Sequence, residues 1–115
     1  MNFHDELKLS MHQYVKMIYA LTRKFPKEEI YGATSQIRRS ALSVILNYVE
    51  GFARNKEYDS KVYKNFLEIS YGSLKESKYL LFFSFDEKWI SDLEYQNGLS
   101  LNDKIGKMLW SLIKN

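Results

Sequence analysis

The chain has 115 residues, of which 45% are hydrophobic and 16% aromatic, enough apolar material for one folded core and far from the composition of a disordered tail. Seventeen Lys and Arg against 14 Asp and Glu leave a formal charge of +3, which permits an anionic partner and falls well short of a histone-like polycation. No cysteine is present, which excludes a disulfide scaffold, a thiolate metal site, an iron–sulfur cluster and a cysteine nucleophile.

The opening residues Met1-Asn2-Phe3-His4-Asp5-Glu6 place acids where a signal peptide carries positive charge, and no apolar segment follows, so a cytoplasmic location is the expectation. The apolar run Tyr79-Leu80-Leu81-Phe82-Phe83 is far shorter than the roughly 18 to 20 residues of a membrane span. One proline and five glycines leave long unbroken stretches, which predicts long helices. From Asp5 onward, Leu7, Met11, Tyr14, Val15, Ile18, Leu21 and Phe25 recur at helical spacing until Pro26 stops the first helix. In the second, Ile37, Ala41, Val44, Ile45, Tyr48 and Phe52 share one face and Leu42, Leu46, Val49 and Ala53 an adjoining one. That apolar arc spans roughly 200°, wider than a surface helix of a monomer needs, so this helix is expected to be central or to pack on a second subunit.

The polar run from Asn55 to Ser60 separates the second helix from the third, with Asp59 or Ser60 as the expected cap. The third carries Val62, Phe66, Ile69, Ser73, Leu74, Leu80 and Leu81, and the Gly72 inside it is expected to mark close approach of a neighbouring helix. After the polar turn Asp86-Glu87-Lys88, Ser91-x-x-Glu94 has the form of a capping box and opens the fourth helix. Asn97-Gly98 is expected to interrupt or kink it before the stripe Leu101, Ile105, Met108, Leu109 and Leu112. The prediction is a single all-α domain over residues 1–115, with helices at about 5–25, 34–54, 59–84 and 91–114. Short connections predict an antiparallel up-down-up-down four-helix bundle.

Candidate chemistry is sparse. A carboxylate-bridged metal in a bundle requires Glu-x-x-His pairs, yet the two histidines, His4 and His12, lie in the first helix without such a glutamate. A Ser-His arrangement has no natural place to assemble, and no glycine-rich phosphate loop occurs, so neither catalysis nor a cofactor is expected. The polar face of the second helix carries Gln36, Ser40, Ser43, Asn47, Glu50 and Arg54. Gln36, Asn47 and Glu50 are read as a structural network with Ser73 and Glu76 of the third helix; a ligand pocket near Glu50 and Glu76 and a plain solvated face are the other readings. Basic residues gather at Arg38, Arg39, Arg54, Lys56, Lys61, Lys64, Lys75 and Lys78, with Tyr71 among the third-helix lysines and Glu68 diluting them. In a lone monomer these form a solvated face; repeated around an oligomer they would form a strip for phosphates.

Four segments together resemble a known family: Tyr19-Ala20-Leu21-Thr22 with Phe25-Pro26, Gln36-Ile37-Arg38-Arg39-Ser40-Ala41, Asn47-Tyr48-Val49-Glu50-Gly51-Phe52-Ala53-Arg54, and Gly72-Ser73-Leu74-Lys75-Glu76. The chain is similar to the 23S ribosomal RNA intervening-sequence proteins, relatives of the accessory variability proteins of diversity-generating retroelements. The resemblance implies an antiparallel four-helix subunit of a barrel-shaped homopentamer, bacterial origin and a cytoplasmic location. The retroelement relatives bind nucleic acid and a reverse transcriptase through a positive barrel surface. Arg38, Arg39 and Arg54 fall in matching segments. The resulting expectation is a non-enzymatic oligomer that binds structured RNA or DNA, with Arg38, Arg39, Arg54, Lys56, Lys61 and Lys64 contacting phosphates. The alternative is a protein scaffold without nucleic acid, anchored through aromatics such as Tyr58, Tyr63 or Trp89.

Overall fold

Four long helices follow from a sequence in which breakers fall only between apolar-periodic stretches. A computed structural model describes the backbone of residues 1–55 and 60–115 and the side chains of residues 1–54 and 61–115. Its helices are α1 (Phe3–Thr22), α2 (Ala33–Asn55), α3 (Ser60–Asp86) and α4 (Asp92–Lys114), with a short 3-10 turn at Lys27–Glu29 and no strand among the described residues. Asp59, one of the two caps expected for α3, lies outside the described residues.

The ends of the helices have local causes. Asn2 caps α1 by accepting from the Asp5 amide at 2.8 Å, and Asp5 and Glu6 face the positive end of the helix dipole. The first helix ends at Thr22, three residues short of the predicted limit, because the chain must already turn to enter Pro26 in extended geometry. Phe25 therefore buries its ring from the turn, against Trp89. Lys88 closes α3 in the left-handed region with φ 65°, and the amide of Trp89 reaches back to the Ser84 carbonyl. Ser91 and Glu94 form the predicted capping box at the start of α4.

Each helix packs against two others: α2 against α1 and α3, α4 against α1 and α3. Residue pairs along the α2–α3 seam run in opposite order, with Arg39 meeting Glu76, Ser43 meeting Ser73 and the Val44 carbonyl meeting Ser70. The α3–α4 seam does the same, from Tyr71 against Trp110 to Lys78 against Asp103 and Phe85 against Tyr95. Between them lies one core: Leu7, Met11, Tyr14, Ile18 and Leu21 of α1, Ile37, Ala41, Val44 and Tyr48 of α2, Leu67, Leu74 and Leu81 of α3, Ile105 and Leu109 of α4.

Three expectations are corrected. The buried stripe of α3 repeats every seventh residue as Leu67, Leu74 and Leu81, alternating with buried Ser70, Ser77 and Ser84, whereas Ile69 is 43% exposed. The serines turn inward because each hydroxyl bonds a main-chain carbonyl (Val44, Leu74 and Leu80), so small side chains line the face without unmet polarity. Gly72 is exposed, and a Cβ there would meet nothing within 4 Å; the close approach is instead at Gly51, where a Cβ would stand 2.8 Å from Phe66 Cβ. Asn97-Gly98 leaves α4 continuous, since Gly98 makes room for the Leu81 side chain and not for a break.

Candidate nucleic-acid interface

The predicted basic residues do not form one patch. Arg38 and Arg39 sit near the start of α2, and Arg54, sixteen residues on, lies about 24 Å along the axis. Arg38 is half-buried: its Nε donates to Thr22 Oγ1 at 2.8 Å and its guanidinium lies over the Tyr19 ring at 4.6 Å. That contact joins two of the segments that carry the family resemblance, and it directs Arg38 to α1 rather than outward. Arg39 is exposed and pairs with Gln36 and Glu76; Arg54 pairs with Glu50 at 3.1 Å. Such exposed pairs contribute at most about 1 kcal/mol each and open readily to a competing anion. Lys61 and Lys64 open α3 without an ion pair among the described residues. Lys56 and Tyr58 lie outside the described residues.

The polar stripe of α2 divides in the same way. Ser40 is fully buried and donates to the Ile37 carbonyl, so it belongs to the core rather than to a polar face. Ser43 bonds Ser73 at 2.7 Å, and Asn47 donates to the Ser43 side chain and carbonyl at 2.9 Å, which ties α2 to α3 at mid-length. Gln36 and Glu76 meet only through Arg39, and Glu50 turns to Arg54. Neither Glu50 nor Glu76 lines the cleft at Tyr71 and Trp110, the hollow at Lys107 and Lys114, or the recess at His4, Tyr48 and Phe52. Of the candidate anchors, Trp89 packs between Phe25 and Phe83, and Tyr63 is half-buried.

The deepest polar contacts arise elsewhere. Tyr14 bonds Ser77 at 2.7 Å and accepts from Asn102 Nδ2 at 2.9 Å, with Asn102 Nδ2 also donating to the Leu74 carbonyl at 3.1 Å. Burial pushes the Tyr14 hydroxyl above its usual range, and the two hydrogen bonds pull it part of the way back. Tyr48, bonded to His4 Nδ1 and enclosed with Phe52, is raised first by burial and then by the nearby Tyr63 and Asp5. At the other end of α1, Glu94 is held below the usual carboxylate range, first by its bond from Lys24 and then by the Ser91 amide. Among the described residues no three His, Asp or Glu side chains converge as metal ligands. No helix there is long and apolar enough to cross a membrane.

Two exposed surfaces escape a reading by charge alone. On α2, Leu46 is 62% and Val49 48% exposed, and with Leu42 and Ala53 they form an apolar stripe turned away from the core. On α4, Lys107, Trp110 and Lys114 follow at spacings of three and four on the side away from Ile105 and Leu109, next to Tyr71 and Lys75 of α3. That spacing is the signal in the sequence that marks them.

The fold defines an all-α protein of four helices over the described residues. The chain belongs to the family of 23S rRNA-intervening sequence proteins, whose family model matches residues 6–111. It is similar in structure to a crystallised protein of unknown function from the S23 ribosomal protein family of Bacteroides thetaiotaomicron, with a TM-score of 0.83 and 22% identity over 95% of this chain and 99% of that one. At that identity the likeness speaks for the fold alone. No curated protein matches the chain.

Proposed function

We propose that the chain is a non-enzymatic, up-down-up-down four-helix bundle that assembles as a cytoplasmic homopentamer and binds structured RNA through surface cations. The observation that carries the assembly is the apolar stripe of Leu42, Leu46, Val49 and Ala53 on the outward side of α2, a helix already packed against both α1 and α3 within its own chain. A helix already supported on both flanks gains nothing inside the subunit from a further apolar face; covering that face requires a second copy. The family's name associates its members with 23S rRNA intervening sequences, which favours RNA as the polyanion.

Assembly also answers the low charge. A net +3 per subunit is weak alone, but repeated around a closed ring it sums into a field that attracts a polyanion. Lys61 and Lys64, free of ion pairs among the described residues, would make phosphate contacts directly; Arg39 and Arg54 would exchange Glu76 and Glu50 for phosphate. Arg38 is assigned to holding α1 on α2.

Light scattering of the purified protein with and without a short structured RNA, at low and moderate salt, tests this reading. A defined oligomer that takes up RNA and releases it as salt rises is the expected result, with the salt dependence reduced by about one unit of slope for each of Lys61→Ala and Lys64→Ala. An oligomer indifferent to RNA would instead support a protein scaffold, and a monomer would overturn the assembly.

A further inference from the structure

Between α3 and α4 lies an open cleft of about 220 Å³, lined by Tyr71, Lys75, Asp103, Gly106, Lys107 and Trp110. We infer that this cleft is a site for an unpaired nucleotide of RNA, its base stacked on Trp110 and its phosphates facing Lys75 and Lys107. The inference rests on the RNA reading above and assigns that reading a recognition mode and a place.

The geometry favours a planar group beside an anion. The Tyr71 and Trp110 rings stand 5.6 Å apart at 41°, and Trp110 remains 49% exposed, an uncommon state for the largest aromatic side chain unless it meets a partner. Tyr71 is steadied by Lys75, whose ammonium lies 5.0 Å from the ring centre. Gly106 forms part of the wall between the helices, where a Cβ would make ordinary contact with Leu74 at 3.4 Å and Tyr71 at 4.0 Å. Too small and too open to engulf a drug-sized molecule, the cleft suits a flat ring laid on an exposed aromatic surface.

The charge around it is positive on balance, Lys75 and Lys107 standing against Asp103 in the cleft, with Glu68 the acid on the neighbouring turn of α3. Asp103, the acid of the cleft, is occupied by Lys78 at 3.1 Å. Lys75 and Lys107 have no ion pair among the described residues, and Lys114 lines the adjoining hollow next to Trp110. An aromatic platform flanked by ammonium groups without an ion pair among the described residues is what a single-stranded nucleotide requires, because stacking accepts any base while the lysines follow the backbone. A duplex conceals its base faces within its own stack, so a loop, bulge or single strand is the form recognised. The opposite register of α3 and α4 then continues the track from the cleft toward Lys64, at the open end of α3.

The test uses the full chain, an end-labelled unstructured RNA octamer and a blunt duplex of the same length, read by fluorescence anisotropy. Trp110→Ala is expected to weaken octamer binding about tenfold, Trp110→Phe to stay within about threefold of wild type, and duplex binding to change by less than about twofold. Lys107→Ala, which leaves the aromatic pair in place, is expected to weaken the octamer severalfold and serves if Trp110→Ala does not fold. Octamer binding unchanged in both Trp110→Ala and Lys107→Ala overturns the cleft while RNA binding elsewhere stands. Equal losses for octamer and duplex in Trp110→Ala would also overturn it, since a stacked base would not be the cause. Wild-type protein that binds neither RNA overturns the cleft and the RNA reading together.

Discussion

Tyr14 brings a hydroxyl into the centre of the four helices, and what it meets there decides how the protein responds to alkali. Its pKa is raised above 10.0, chiefly by burial, so the folded state holds the phenol proton more tightly than the unfolded chain does. The sign follows: where the unfolded state binds fewer protons, stability falls as pH rises. The contribution is therefore complete below about pH 10 and is lost above it. Tyr14→Phe removes the titrating group while leaving Asn102 Nδ2 and Ser77 their bonds to the Leu74 carbonyl. We expect it to cost about 1 kcal/mol at neutral pH, a fall of about 4–8 °C in Tm, and to flatten the decline of Tm above pH 10. Tyr48 and Tyr63, also raised by burial, keep part of that decline in the variant. Parallel wild-type and variant profiles through the alkaline range would refute this account. The network is not legible in the sequence: Tyr14 reads as one apolar residue of a stripe, Asn102 belongs to none of the patterns read there, and only the packing of α1, α3 and α4 brings them together.

At the scale of the helix, two glycines give opposite predictions from the same substitution. Alanine at Gly72 meets open space on the exposed side of α3, so Gly72→Ala should stabilise by roughly 0.5–1 kcal/mol through backbone entropy alone. Alanine at Gly51 drives a methyl to 2.8 Å from Phe66 Cβ and 3.4 Å from the Tyr63 carbonyl of the facing helix, and since a Cβ is fixed by its own backbone no rotamer change relieves the clash. Gly51→Ala should therefore destabilise by about 1–3 kcal/mol, a contrast that urea denaturation of the two variants measures directly. A destabilising Gly72→Ala or a neutral Gly51→Ala would show that the seam is placed differently. The same seam explains what could be read in advance. Helix number and most ends follow from Pro26, the capping box and the polar runs, all local signals. The inward face of α3 does not, because counting apolar residues favours Ile69 and passes over serines whose hydroxyls are satisfied by the Val44, Leu74 and Leu80 carbonyls. A glycine's reason is likewise a property of the neighbouring helix, as Phe66 is for Gly51 and Leu81 for Gly98.

For the molecule as a whole, extents of 45 × 27 × 20 Å make a slender chain fold with much surface for its volume, and its outward apolar stripe lies along the middle of α2. The excess width of that helix was visible in the sequence as an apolar arc of roughly 200°, whereas the cations of the candidate site were visible only as residue types. Their partners, Thr22 for Arg38, Glu76 for Arg39 and Glu50 for Arg54, become apparent once the helices are packed. Assembly can be tested at Leu46, which at 62% is more exposed than Val49 beside it. In a monomer, Leu46→Glu replaces one exposed side chain with another and should alter folding by no more than about 0.5 kcal/mol. In an oligomer that buries the stripe, the same change places an unpaired carboxylate between subunits and removes the roughly 1.5–3 kcal/mol gained by covering each leucine, in every interface of the ring. Light scattering should then report a monomer whose far-ultraviolet circular dichroism matches wild type, with a Tm no longer dependent on protein concentration. Because no cation is changed, RNA affinity should fall steeply as the subunits separate, as expected when the summed field of the ring adds to the individual lysine contacts. An assembly of wild-type mass in Leu46→Glu would place the interface elsewhere on the surface, and dissociated subunits with undiminished RNA affinity would dismiss the summed field.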